Sequence, residues 1–351
     1  MKKKYLYNLG QLFEYIAHNY ANKTAIKSLK NELISYQDLN IYSNKIANFL
    51  LSNNIGKNDV VAILNNKTAV SYSIMLACLK IGAIYTNLDP KSPIERFNRM
   101  ISICNPKLIF YYQDVNSIIH QFEPNNIQLV DYSDPKFSNN IGQSEEFPVY
   151  NLKVTGNTAA YIMFTSGSTG FPKGVVISHQ NILNFIEWSK NTYHISPNDV
   201  FTNINPMHFD NSVFDFYSSL FTGASIIPLG EKLTRSPRKL LDVLNEIKPT
   251  IWFSVPSMLV YILNLRALKK EDLPTLRVVT FGGEGFPKNQ LRKLWDNWGE
   301  RVRFVNVYGP TECTCICSSY DVSSKDMEND YLLPLGNMAL NFYGLVINEN
   351  G

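Results

Sequence analysis

Phe164-Thr-Ser-Gly-Ser-Thr-Gly-Phe-Pro-Lys-Gly174 follows directly on the apolar run Ala159-Ala-Tyr-Ile-Met163. A buried strand thus runs into a loop carrying four hydroxyls, three glycines and one lysine. Glycines let backbone approach a ligand closely, and successive N–H groups form a concavity that suits anions. The lysine adds a compact positive charge. No Gly-Lys-Ser/Thr follows four residues after a glycine, so this is not a Walker loop. The segment predicts a polyphosphate site built by a different device.

The remainder of the chain fits a folded enzyme. Its 351 residues are 45% hydrophobic and 18% charged, with a net charge of +3. That length can bury a large core and ordinarily divides into subdomains. So slight a charge gives no ground for a nucleic-acid or anionic-membrane partner. No apolar run reaches the length of a membrane span, and Tyr5, Asn8, Gln11 and Glu14 interrupt any secretion-signal core. The expected location is the cytoplasm. Five cysteines, an odd number, argue against a disulfide framework. Cys313, Cys315 and Cys317 alternate and would share one strand face, but no further zinc-type ligand follows. They read as small apolar residues in a packed strand, with Cys315 available to line a pocket.

Strand and helix patterns alternate. Helices are predicted over Leu9–Asn19, Tyr36–Asn53 and Ala69–Lys80, the last ending near Gly82. Strands are predicted at Thr24–Leu29 and Glu32–Tyr36 around a Lys30-Asn31 turn, and at Val60–Leu64, Lys107–Tyr112 and Ile127–Asp131. Repeated βα units imply mostly parallel sheets flanked by helices, an α/β fold. The polar stretch from Tyr132 to Lys153 reads as a surface linker, placing an internal subdomain boundary near 132–155.

Several further segments fall in a fixed order: Ile34-Ser-Tyr-Gln-Asp-Leu39, Leu79-Lys-Ile-Gly-Ala-Ile-Tyr-Thr-Asn-Leu-Asp-Pro90, Phe209-Asp-Asn-Ser212, Phe281-Gly-Gly-Glu284 and Asn306-Val-Tyr-Gly-Pro-Thr-Glu312. Together with Thr165–Gly174 they resemble the adenylate-forming ligase superfamily of AMP-binding enzymes. It includes acyl- and aryl-CoA synthetases, luciferases and the adenylation domains of nonribosomal peptide synthetases, and the amino-acid adenylation domains are the nearest match. The resemblance covers nearly the whole chain and implies the large N-terminal domain of that superfamily, with several subdomains, over residues 1–351.

The resemblance also implies roles. ATP and magnesium would be the cofactors. Thr165, Ser166, Gly167, Ser168, Thr169, Gly170 and Lys173 would hold the leaving pyrophosphate. Glu312, with the Thr165 hydroxyl, would hold magnesium, and Thr311 would donate to the α-phosphate. Lys173, Thr311 and Glu312 form the catalytic set. Tyr308 would lie against adenine. Gly282, Gly283 and Glu284 would approach its edge through backbone, and Asn306 would meet its amine. Val307 and Gly309 complete the nucleotide wall.

Substrate class turns on Asp210. A substrate ammonium entering an apolar pocket needs a carboxylate partner, and Asp210 stands where amino-acid-activating members carry one. The alternative is a cap for the helix beginning at Ser212. The specificity positions carried over are Asp210, Asn211, Phe214, Ser254, Val279, Phe281, Val307, Cys315 and Ile316. Phe281 departs from the small residue usual before Gly-Gly-Glu. Two phenylalanines in one pocket imply a small or short polar amino acid. The expected reaction joins ATP and an amino acid into aminoacyl-AMP and pyrophosphate, for later transfer to the phosphopantetheine thiol of a carrier protein. An acyl- or aryl-CoA synthetase and a non-catalytic nucleotide- or amino-acid-binding module are the alternatives. Complete relatives continue with a Thr-Gly-Asp element and a small C-terminal domain bearing a catalytic lysine, which these 351 residues do not include. Such a core is expected to be weakly active or inactive alone.

Overall fold

Two sheets with a shared layer of helices between them organise the chain. The computed structural model describes residues 6–29, 32–122, 127–143, 153–166 and 170–348. The strands in the first half are β1 (Thr24–Lys27), β2 (Leu33–Ser35), β3 (Val60–Leu64), β4 (Ile84–Leu88), β5 (Leu108–Tyr111), β6 (Gln128–Asp131), β7 (Ala159–Ser166) and β8 (Pro172–Ser178). There follow β9 (Val200–Asn203), β10 (Ser225–Pro228), β11 (Ile251–Ser254), β12 (Val278–Gly282), β13 (Arg303–Tyr308), β14 (Ser318–Asp321) and β15 (Asn337–Met338). One sheet has the order β6-β5-β3-β4-β7-β8, the other β15-β14-β13-β12-β11-β9-β10-β1-β2. Pairing is parallel except for β1–β2, β7–β8, β13–β14 and β14–β15.

Strand alternation sends neighbouring residues into different cores. Val61 and Ile63 of β3 join a central core that also takes Ile226, Phe253, Val278 and Val305 from the other sheet. Ala62 and Leu64 point the other way, into an outer core with Phe97 and Met100 of the helix Ile94–Cys104. Beyond the nine-stranded sheet, a second outer core gathers Trp252, Val279 and Phe281 with Leu240 and Leu291. The order of layers is therefore helix, sheet, helix, sheet, helix. In the central layer, the helix Ala69–Ile81 is buried continuously from Ser71 to Ile81, as expected of a helix apolar all round.

The short motifs have local physical causes. Ser35 and Asp38 form a reciprocal capping box that starts the helix Tyr36–Ser52. Tyr36 is fully buried and donates to the Ala224 carbonyl at 2.5 Å, pinning that helix to the nine-stranded sheet. Gly82 ends the helix Ala69–Ile81 with φ +74°, and a Cβ there would lie 2.8 Å from Val154 Cγ2.

Three expectations need revision. The stretch after Tyr132 holds a helix, Pro135–Gln143, whose Phe137 and Ile141 are buried. Two apolar residues one turn apart anchor it, too few to stand out from a polar background. The 132–155 segment does not separate the sheets: β6 and β7 on either side share the six-stranded sheet, and the chain changes sheet between β8 and β9. Residues 144–152 of that segment, and the Lys30-Asn31 turn, lie outside the described residues. Finally, Cys313 and Cys315 are not on a strand. Cys313 closes a 3-10 turn, Thr311–Cys313, and Thr314 and Cys315 follow at φ +62° and +76°. A left-handed pair directs the chain into β14, so alternation does not apply.

Candidate functional site

The segment expected to hold polyphosphate runs from β7 into β8, which pair antiparallel. Their register sets Thr165 opposite Lys173 and Ser166 opposite Pro172. Lys173 is exposed and makes no ion pair among the described residues, and Gly170 takes φ +77° with open space where a Cβ would stand. Gly167, Ser168 and Thr169 lie outside the described residues. The hairpin's β8 packs against the Thr311–Cys313 turn, which brings Glu312 to the same region. Glu312 is exposed and free of ion pairs among the described residues, so its carboxylate is open to a cation. No group of three or more His, Cys, Asp or Glu side chains among the described residues could hold a metal unaided. One carboxylate plus a hydroxyl suits magnesium, which takes its remaining ligands from phosphates and water.

The turn depends on glycine. A Cβ on Gly309 would stand 2.4 Å from the Cys315 carbonyl oxygen, and one on Gly282 would stand 2.5 Å from that of Val307. Gly283, at φ +88°, turns the chain out of β12. Tyr308 leaves β13 with 47% of its surface exposed, so its ring face is accessible. Two of the residues expected at adenine have side chains with protein partners, which leaves the Glu284 backbone and the Asn306 oxygen for the roles expected of them. The Glu284 carboxylate accepts the Ser257 N–H at 3.1 Å and the Ser257 hydroxyl at 3.3 Å, capping the helix Pro256–Asn264. The Asn306 amide nitrogen donates one N–H to the Pro334 carbonyl at 2.9 Å, and its oxygen can still accept from a ligand amine.

Asp210 stands immediately before the helix Asn211–Leu220 and makes no side-chain cap hydrogen bond to it. Its helix reaches the carboxyl only through the N–H of Asn211, the first helical residue. The Asp210 carboxylate also accepts the Thr311 hydroxyl at 2.6 Å, across 101 residues of sequence. Burial pushes the Asp210 carboxyl above its usual range, the Thr311 hydrogen bond opposes that, and the nearby Glu312 charge adds to it. No cation among the described residues pairs with Asp210. Phe214, one helical turn on, is fully buried with its ring centroid 5.0–6.4 Å from those of Tyr193, Phe253, Phe201 and Phe185. Cys315, Ile316 and Val307 join the same central core. His208 lies 3.8 Å from Asp89 and tilts against Phe209; burial holds its pKa down.

Ser254, Val279 and Phe281 do not face Asp210. Val279 and Phe281 belong to the outer core, where Phe281 packs edge-on against Phe286 at 4.8 Å. Ser254 accepts from Trp252 Nε1, which lies on that outer face. The inner face of the sheet is carried by Phe253, Val278 and Val305, and by alternation Thr280 and Gly282. Ser254, Val279 and Phe281 thus face the outer core, and Phe281 does not stand beside Phe214. Phe253 and Thr280 take the inner face instead, one position away from the expected residues. Pairing of Val307 with Gly282 gives the parity that finds them.

Comparison with known proteins agrees with this geometry. The chain is 32% identical over 325 residues to an L-proline–[L-prolyl-carrier protein] ligase of Pseudomonas fluorescens, covering 91% of this chain and 64% of that protein. It is 31% identical over 344 residues to bacitracin synthase 3 of Bacillus licheniformis, covering 97% of this chain and 5% of that protein. The chain therefore spans under two thirds of the curated relatives it matches. Among solved structures, the N-terminal subdomain of Klebsiella oxytoca NpsA, in complex with 3-hydroxybenzoyl-AMSN, superposes with a TM-score of 0.80 at 20% identity, covering 95% of this chain and 81% of that one. A four-domain nonribosomal peptide synthetase bound to AMP and glycine gives 0.78 at 23% identity, covering 95% and 23%. The family described as AMP-binding enzyme matches residues 13–344, nearly the whole length that forms the two sheets and the site, and the chain belongs to that family.

Proposed function

We propose that this chain is the nucleotide- and amino-acid-binding core of an amino-acid adenylating enzyme. One observation carries the reading: Asp210 is a largely buried carboxylate with a hydroxyl partner but no cation among the described residues. A charge so placed is costly unless a ligand completes it, and a substrate ammonium does so. An aryl- or fatty-acid substrate offers no such group. The curated relatives named for prolyl- and D-alanyl-carrier proteins point the same way.

The reaction brings together two anions, the amino-acid carboxylate and the α-phosphate of ATP, so alignment and charge neutralisation are the task. Asp210 holds the ammonium and thereby fixes the carboxylate end. Ser166 and Lys173 of the hairpin donate to the departing pyrophosphate together with Gly167, Ser168, Thr169 and Gly170, and Thr311 turns its hydroxyl to the α-phosphate. Glu312, with the Thr165 hydroxyl, would hold magnesium, and the ion would supply positive charge for the phosphates. Tyr308 covers adenine, and Gly282 and Gly283 admit it closely. Phe214, held by four rings, gives the side-chain space a rigid wall. The product aminoacyl-adenylate passes to the phosphopantetheine thiol of a carrier protein. Among the described residues no helix is long and apolar enough to cross a membrane.

Amino-acid-dependent ATP–pyrophosphate exchange by the full-length protein, over a panel of amino acids and their deaminated acids, tests the proposal. Exchange supported by an amino acid and not by its deaminated acid is the expected outcome. Preference for the deaminated acid would return the chain to the acyl- or aryl-CoA synthetase reading, with Asp210 structural.

A further inference from the structure

The hydrogen bond between Thr311 and Asp210 connects residues from separate elements and, on the reading above, separate half-sites. Asp210 precedes the helix Asn211–Leu220, while Thr311 opens the 3-10 turn after β13. Their side chains meet at 2.6 Å, a short bond of the kind a carboxylate forms. From its own helix Asp210 meets only the N–H of Asn211 beside its own N–H, so the Thr311 bond is the one that ties its carboxylate to a distant element. A threonine hydroxyl has one proton, whereas a carboxylate accepts at two oxygens. Thr311 occupies one side of Oδ2, and the carboxylate keeps acceptor capacity for a cation. Glu312 follows at the next position of the same turn.

We infer that Thr311 is a positioning residue for the ammonium site: its hydroxyl holds the Asp210 carboxylate in the orientation that receives the substrate amine, and joins that site to the turn bearing Glu312. This rests on the proposed amino-acid reading. It differs from any contact Thr311 makes with phosphate, because it acts before a nucleotide binds.

Nucleotide-free calorimetry therefore isolates it. The probe is the amino acid of the twenty proteinogenic ones that gives the greatest exchange, with its deaminated acid as control. Thr311→Val keeps the shape and removes the donor; Thr311→Ser keeps the donor. Thr311→Val should lose about tenfold in amino-acid affinity, the scale of one hydrogen bond to a charged group. Its affinity for the deaminated acid should be unchanged, and Thr311→Ser should bind the amino acid as the wild type does. Wild-type affinity in Thr311→Val overturns the inference. So does equal loss for both probes, since that marks general damage to the pocket. An inert wild type overturns the amino-acid reading itself and the inference with it, whereas a selective wild type with an unchanged valine variant overturns the inference alone.

Discussion

A carboxylate withdrawn from water without a cation beside it is costly, and Asp210 is such a group. Asp210→Asn preserves its shape and its contact with Thr311 but removes the charge. Amino-acid affinity should fall about a hundredfold while ATP affinity stays within about twofold, as measured by calorimetry. Equal affinity of the wild type for amino acid and deaminated acid would contradict it. The open charges on the other side of the site separate by ligand. Glu312→Gln should weaken nucleotide binding about tenfold in magnesium and hardly at all in its absence, because the metal is what the carboxylate meets. Lys173→Ala should weaken ATP and pyrophosphate more than AMP, since its reach is to the distal phosphates. Equal losses for ATP and AMP would remove it from that role.

Among elements, the first helix is held by a group that titrates. His179 opens the helix His179–Tyr193 and is fully buried; its Nδ1 accepts the N–H of Leu9, first residue of the helix Leu9–Asn19, at 3.0 Å. Its Nε2 is buried without a partner, and burial pushes the imidazole pKa down from 6.5 to about 4. The folded state therefore holds the ring neutral where the unfolded state would protonate it. That stability is fully present above 6.5 and is lost as pH falls towards 4. The loss amounts to about 3 kcal/mol, at about 1.4 kcal/mol for each pKa unit. His179→Gln cannot take up the proton, so its stability curve should be flatter over that interval. Denaturant titrations at a series of pH values compare the two slopes, and parallel curves would assign the acid sensitivity elsewhere.

At the scale of the whole molecule, the sheets must hold their relative position, because the polyphosphate hairpin belongs to one and Asp210, Tyr308 and Glu312 depend on the other. Aliphatic and aromatic packing in the central layer does most of this. Lys67 adds a polar clamp. It lies in the loop after β3, and its Nζ donates to the carbonyls of Asn203, Ile204 and Leu229 at 2.8, 2.8 and 3.0 Å, all at the ends of β9 and β10. Lys67→Met takes the donor from the Ile204 and Leu229 carbonyls, while that of Asn203 keeps the Leu229 N–H, and should cost about 2 kcal/mol. The denaturation midpoint should fall with an unchanged slope if both sheets still unfold together. A second transition would show instead that the clamp is what couples them.

Local signals sufficed for much of this chain. The helix expected at Tyr36–Asn53 was legible from its pattern, and Val60–Leu64 and Ala69–Ile81 from apolar runs bounded by turn residues, because such features depend on neighbours within a few positions. The chemistry expected of Thr165–Gly174 was readable from its glycines, hydroxyls and lysine, and that of Tyr308–Glu312 from its resemblance to the family's motif. The facing of β11 and β12 was not legible. Both sides of these central strands are covered by apolar layers, so Val278, Val279 and Phe281 look alike in sequence although two cores divide them. Only packing against the helix Asn211–Leu220 distinguishes the pocket side. The engagement of Glu284 with Ser257, and of Asp210 with Thr311, also required the tertiary structure. The sequence determined which elements form and which chemistry they carry, since both are local; the tertiary structure decided which side chains meet, since that is fixed by the burial of one layer against the next.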